Sequence, residues 1–472
     1  MARIKMTVIA VAIAILFGFA DLVHAVVHGA HDFNWRAEVP GMLQIHRLAR
    51  HGYPRAVQVA IDKGADVTVQ TEQGLTPLHY AIAGGNPLVV RHLLDAGAPV
   101  NALSDVVSTP LCVATVMNKA DLTELLLKRG ARVDLPCIGG RNVLHEAVRY
   151  SPKSLALLLQ HGAGQLVNER DEHGDTPFLL AVKQLGDGRD PGEGAVLSQL
   201  LALQGVDVNV ADADVRTPLH IAANAGMLPT VQMLLERGAV VDAVATAGKT
   251  PLHEVFAEPA QRSVWREYRG FGPRDRPQCE VAAALLRAGA DVMAANAAGQ
   301  TPLHVALRPF AEFDVAAMEA LLDAGGVRVL EARDRHGKTP LHLAAEYRKI
   351  QAIDRLLRAM RAAGVDVVTL VNVPDNDDNT PLHLAAGCRG CLSGDALIYQ
   401  LVLRRLLRAG ADVEARNARG QTARDIALES ATLPNSPAMA AILRDLAPRD
   451  EEREPYPWRG PAGGYGPSYL GY

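Results

Sequence analysis

Short apolar runs alternate with polar turns along most of the chain, and the alternation repeats at a period near 33 residues. The marker of each period is Thr76-Pro77-Leu78-His79, which recurs intact from Thr217, Thr250, Thr301, Thr339 and Thr380. Degenerate copies stand at Thr109-Pro110-Leu111-Cys112, Asn142-Val143-Leu144-His145, Thr176-Pro177-Phe178-Leu179 and Thr422-Ala423-Arg424-Asp425. The successive intervals are 33, 33, 34, 41, 33, 51, 38, 41 and 42 residues, so a 33-residue unit persists and the excess is insertion. One step back from His79 lies His46, and one step back from Gly97 lies Gly64, which adds an atypical first unit and makes eleven. In each, threonine is placed to N-cap a short helix with proline at its first position, where the missing N–H costs nothing. A second apolar stretch ends in a Leu-Leu pair followed by glycine, as at Leu93-Leu94 before Gly97, and glycine suits the left-handed residue that closes a helix. An Asp-Val, Val-Asp or Val-Asn step and a polar turn then lead to the next threonine.

These residues resemble the ankyrin repeat family over about residues 42–446. The resemblance implies an all-α solenoid of about eleven units, each a pair of antiparallel helices with a short β-hairpin finger. It also implies that the motif histidines are structural hydrogen-bonding residues, which assigns His46, His79, His145, His220, His253, His304, His342 and His383 to the scaffold. Cys112, Leu179 and Asp425 depart from the motif, and the hydrogen bonding of those three units is open. Eleven thin units packed ~8–10 Å apart predict an elongated, curved body on the order of 100 Å long.

Most inserted residues fall between the two helices of a unit: 7 after Thr176, 18 after Thr250, 3 after Thr301 and 9 after Thr380, against a largest finger insertion of 8 before Thr380. Insertions on one edge of a rigid array are held at fixed separations and suit a binding surface. The 18-residue case, within 258–277, carries five arginines and three aromatic residues. Trp265, Arg266, Tyr268, Arg269 and Phe271 are the candidate partner-binding residues, since such side chains remove large areas from water while keeping a directed polar contact. The alternative is a loop folded over its own helices, with arginine stems covering apolar surface. Arginines spaced by three and four, at Arg355, Arg358 and Arg361 and at Arg404, Arg405 and Arg408, read first as solvated helix faces.

Composition narrows the chemistry. Of 472 residues 49% are hydrophobic, 21% charged and 4% aromatic, and the net charge of -4 argues against nucleic acid as a partner. Phosphate-loop, nucleophile-elbow and zinc-helix motifs are lacking, so no catalytic residue, cofactor or metal is expected. Asp375-Asn376-Asp377-Asp378-Asn379 imitates a calcium loop, but Thr380 and Ala386 stand where glycine and glutamate are needed, so it reads as a polar finger tip. Cys388 and Cys391 form a candidate local disulfide in the insertion after Thr380, with free thiols or envelope redox chemistry as the other readings; Cys112 and Cys137 fall in adjoining units and can also bridge. The expected function is a monomeric, non-catalytic scaffold that binds a protein partner through its concave face and turn insertions. The alternative is a cell-envelope redox or stress-protection protein using Cys388 and Cys391.

The two ends differ from the repeats. Arg3 and Lys5 precede an apolar run from Met6 to Ala20, and Val23-His24-Ala25 suits a signal peptidase, so residues 1–25 read as an export signal, 26–41 as a linker and the protein as periplasmic or secreted. The run would cover roughly 22 Å of a ~30 Å hydrocarbon core; in the alternative, residues 6–27 stay as a membrane anchor. Residues 447–472 are rich in Pro, Gly and Tyr and read as a disordered tail. N-terminal sequencing of protein recovered outside the cytoplasm checks the leader: a start at Val26 is expected, an intact Met1 there would indicate the anchor, and a purely cytoplasmic protein would contradict export.

Overall fold

A computed structural model of the chain describes residues 43–105, 108–186, 194–257, 278–308, 315–387 and 396–430. Two compact units divide it, Met1–Asp291 and Val292–Tyr472. Numbering the repeats from His46, the first unit holds repeats 1 to 7 and the second repeats 8 to 11.

The motif threonine adopts extended backbone, with φ −93° and ψ 165° at Thr76, and proline follows at the first helical position. Thr217, Thr250, Thr301, Thr339 and Thr380 start their helices identically, each in a reciprocal capping box with the histidine three residues on. These first helices are short, as in Pro77–Gly84, Val143–Tyr150 and Pro218–Asn224 of the first unit and Pro302–Ala306, Pro340–Glu346 and Pro381–Ala386 of the second. Helices below ~12 residues are marginal in water, so their stability comes from packing. The leucine of each motif supplies it: Leu78, Leu144, Leu219, Leu252, Leu303, Leu341 and Leu382 are completely buried.

Second helices such as Pro87–Asp95, Ala120–Lys128 and Leu228–Glu236 bury Leu93, Leu126 and Leu234. Within each unit, first helices pack on first helices of the adjacent repeat and second helices on second, giving two layers. Gly97 ends its helix at φ 89°, while the Ala98 N–H reaches back 2.9 Å to the Leu93 carbonyl, a left-handed closure that a side chain would strain.

The fingers depart from the expected hairpins. No sheet forms among the described residues, and the only strand pairings there are isolated bridges, Ser104 with Ser108 and Ala245 with Lys249. Most fingers close as five-residue turns around an Asp or Asn. Asp375 Oδ1, for example, accepts the Asp377 and Asn379 N–H groups at 2.9 Å each, and Asp171, Asp212, Asn296, Asp334 and Asn417 do the same. The side chain satisfies the donors that a second strand would otherwise take. The calcium-like segment is therefore a finger tip of this kind.

Several extra residues lengthen helices. The excess before Thr380 lies in Ile350–Ala362, of 13 residues, and a short helix Val367–Val371, while Val315–Glu331 bends at Gly326 where φ is 55°. Among the described residues no helix is long and apolar enough to cross a membrane.

Close backbone approach fixes the first junction. A Cβ on Gly84 would lie 2.4 Å from the Arg50 carbonyl oxygen, at the end of helix Gln44–Arg50. Backbone cannot yield as a flexible side chain does, so Gly84→Ala is expected to cost about 1–3 kcal/mol. Denaturant titration checks this, and an unchanged midpoint would contradict the packing.

Candidate interaction face

The surface available for recognition is fixed by what holds one finger against the next. In repeat 2 the Thr76 N–H donates to His79 Nδ1 at 3.1 Å, Thr76 Oγ1 lies 2.9 Å from the same nitrogen, and His79 Nε2 lies 3.1 Å from the Ser108 carbonyl of the following finger. A nitrogen that accepts a backbone N–H carries no proton, so the imidazole is neutral with its hydrogen on Nε2, donating to the carbonyl. The same rung runs from His145 to the Asp175 carbonyl, from His220 to Lys249, from His304 to Lys338, from His342 to Asn379 and from His383 to Gln421, all at 3.0–3.1 Å. His46 makes it to Leu75 at 3.2 Å, with Leu43 standing in for threonine as the N–H donor. His253 is fully buried and accepts the Thr250 N–H at 3.2 Å. Burial lowers the imidazoles of His46, His79, His145, His220, His342 and His383 below their ordinary pKa, to about 4 at His79 and His342, because a charged ring would be taken from water.

The departures are resolved differently. Asp425 Oδ2 accepts the Thr422 N–H at 2.9 Å and its hydroxyl at 2.8 Å, replacing the acceptor half of the histidine; the backbone N–H holds this carboxyl below the usual range. Leu179 has no polar atom to give, and ions act across that junction: Lys183 Nζ lies 2.6 Å from Asp175 and 3.5 Å from Asp212 of the next finger. Arg170 also donates to the Ala211 carbonyl at 2.8 Å. Cys112 is joined to Cys137 of the next finger, with Cα atoms 5.8 Å apart.

Two more ladders brace the fingers. At their bases Asn101, Asn168, Asn209 and Asn372 each donate to the carbonyl of a helix-ending glycine in the next repeat, Gly130, Gly205, Gly238 and Gly410. Each also accepts an N–H two residues beyond that glycine. At the tips, backbone N–H groups of Glu172, Thr246 and Asn376 donate to the carbonyls of Gly139, Asp214 and His336 in the preceding fingers. The periodic Val-Asn step is the visible signal of the basal ladder, although from sequence alone it reads only as an approach to a turn.

On this braced framework the exposed side chains vary. Ile138, Val215 and Val244 are exposed at their fingers, and Val215 holds φ 59° where most other fingers use glycine and one uses Asp378. Near them sit ion pairs: Arg141 lies 3.6 Å from both Glu146 and Asp171, and Lys249 lies 3.1 Å from Glu254. Burial pushes the Glu146 carboxyl up, with Arg141 opposing. Among the described residues no cluster of His, Cys, Asp and Glu is placed to hold a metal ion.

Trp265, Arg266, Tyr268, Arg269 and Phe271 lie outside the described residues, as do Cys388 and Cys391. All four large turn insertions overlap undescribed segments, 187–193, 258–277, 309–314 and 388–395. Of the arginine rows, Arg355 pairs with Glu319 and Arg405 with Asp354, while Arg358, Arg361 and Arg408 face solvent.

Two-layer helical repeats with histidine rungs and projecting turns define a repeat-array interaction module. A family model described as ankyrin repeats (3 copies) matches residues 11–104, 45–137, 190–257, 275–370 and 319–417, well over half of the sequence, and the chain belongs to the ankyrin-repeat family. It is similar to the ankyrin repeat and SOCS box protein 16 of Homo sapiens, 31% identical over 194 residues, 41% of this chain and 38% of that protein. The human B-cell lymphoma 3 protein is 28% identical over 237 residues, covering 45% of this chain and 47% of that protein. The human transient receptor potential cation channel subfamily A member 1 is 32% identical over 148 residues, 30% of this chain and 12% of that one. The chain spans less than half the length of each of these relatives.

The lowered imidazole pKa values set a pH dependence. An imidazole kept neutral in the fold gains a proton on unfolding at pH between its folded and unfolded values, so the unfolded state binds more protons there. Stability is fully present above about pH 6.5, falls as pH drops toward about 4, and stops falling on this account below it. Each strongly lowered histidine contributes a slope of about 1.4 kcal/mol per pH unit within that window. Urea midpoints measured from pH 7 to 5, largely above the carboxylate range, are expected to fall steadily; a level profile would contradict the rungs.

Proposed function

We propose that this protein is an exported, non-catalytic scaffold that holds a protein partner on its fingers, its concave face and its helix-to-helix turn insertions. The observation that carries the reading is the contrast within each finger. Tips, and at four positions bases, are tied to neighbours by periodic hydrogen bonds, while the outward side chains follow no period and include the apolar Ile138, Val215 and Val244. A β-branched residue in left-handed backbone costs on the order of 1–3 kcal/mol, and Val215 recovers little of that by burial, being half-exposed. A contact made outside the chain accounts for keeping it.

Commitment of the motif histidines on both ring nitrogens supports a structural role for them, and membership of the ankyrin-repeat family supports protein recognition. Residues 1–25 direct the chain out of the cytoplasm; the membrane is engaged only if residues 6–27 remain attached. Within the insertion after Thr250, Trp265, Arg266, Tyr268, Arg269 and Phe271 are the anchors, since aromatic and arginine side chains dominate hot spots.

Cross-linking and co-purification from the native compartment identify the partner. Trp265→Ala combined with Arg269→Ala is then expected to weaken its binding at least about tenfold, the loss of one hot spot, with the thermal midpoint unchanged. Undiminished binding would remove this insertion as the site.

A further inference from the structure

Ten junction positions carry the same two side-chain devices so often that one junction lacking both stands out. The motif's fourth residue, usually histidine, sends a hydrogen bond to the carbonyl that precedes the next motif. The residue five before that motif, usually Asp or Asn, closes the finger by accepting two backbone N–H groups. Between repeats 3 and 4 these two positions are Cys112 and Cys137. Neither can perform the usual task. Cys112 keeps the histidine's place on helix Pro110–Val116, with its N–H donating to Thr109 Oγ1 at 3.2 Å, yet it cannot reach the Arg141 carbonyl as an imidazole would. Cys137 cannot accept as a carboxylate does, and its finger turns instead through Gly139 and Gly140, at φ 72° and 67°. The 2.7 Å bond from the Cys137 N–H to the Arg141 carbonyl closes it.

We propose that Cys112 and Cys137 form a dithiol–disulfide modification site whose single covalent bond replaces both missing devices, so that oxidation locks the junction of repeats 3 and 4. Both cysteines are buried, at 2% and 6% exposure, with the Cys112 sulfur beside Thr109 Oγ1 and Ser108 Oγ donating to the Pro136 carbonyl next to the bridge. The bond forms by exchange with a low-molecular-weight disulfide. One thiolate attacks it and releases one small thiol, then the second cysteine displaces the other, and two electrons and two protons pass to the small molecule. Burial of both sulfurs requires the finger that begins at Cys137 to open before exchange in either direction, and the paired glycines provide the hinge. That finger matters beyond itself because the Gly139 carbonyl accepts the Glu172 N–H of the next finger at 3.2 Å. This inference does not rest on export, because it is tested on the purified chain.

Hydrogen exchange followed by mass spectrometry on the full chain is the test, with and without a phosphine reductant. The oxidised chain is expected to protect residues 137–150 on the order of a hundredfold better than the reduced chain, the scale set by cross-linking a loop of 25 residues. Cys112→Ser with Cys137→Ser is expected to match the reduced chain in both conditions. Cys112→His with Cys137→Asp restores the two usual devices and is expected to be protected in both, which keeps the test decisive should the serine variant fail to fold. Three results would each overturn the proposal: equal exchange in the oxidised and reduced wild-type chain, alkylation of both thiols after incubation with glutathione disulfide, or a His/Asp variant no better protected than the reduced chain.

Discussion

A neutral imidazole that accepts from one repeat and donates to the next is the interaction on which the rest depends. Its Nδ1 completes the cap that starts a helix, and its Nε2–H fixes the carbonyl that closes the following finger. Local and long-range structure are thereby joined in one side chain. Helices of five to ten residues do not persist alone. Here each is started by the same group that ties it to its neighbour, so folding of one repeat supports the next, the nearest-neighbour logic of repeat arrays.

The tip bonds, and the asparagine ladder where Asn101, Asn168, Asn209 and Asn372 supply it, complete the bracing of the fingers. Because backbone and periodic side chains do this work, the outward positions are released from structural duty. Ile138, Val215 and Val244 occupy that released surface. Rigid display of unconstrained positions is the property that a recognition surface needs, since little ordering entropy is then lost on binding.

Much of this was legible in the sequence because the repeats compare the chain with itself. Thr-Pro-Leu-His marked the helix starts, and stepping back one period from His79 found His46, whose rung to Leu75 forms without a threonine. Fingers were less legible. A polar run ending in glycine reads equally as a hairpin or as a turn, and the choice fell to the Asp or Asn oxygen that captures two backbone donors within five residues. Extra residues before Thr380 read as a finger insertion, yet apolar spacing let part of them extend Ile350–Ala362. The sequence already places Cys112 and Cys137 in adjoining units, able to bridge. What the bond replaces appears only when each is placed in its repeat register, at the histidine position and the finger-closing position. Trp265 and its neighbours lie outside the described residues and stand on composition.

Selective labelling of histidine with nitrogen-15 tests the central interaction most directly, since the two ring nitrogens have distinct chemical shifts when only one carries hydrogen. At pH 5.5 the His79 and His342 imidazoles are predicted to remain neutral, with hydrogen on Nε2. Imidazolium shifts at these positions, or hydrogen on Nδ1, would contradict the rungs and with them the account of how the repeats are joined.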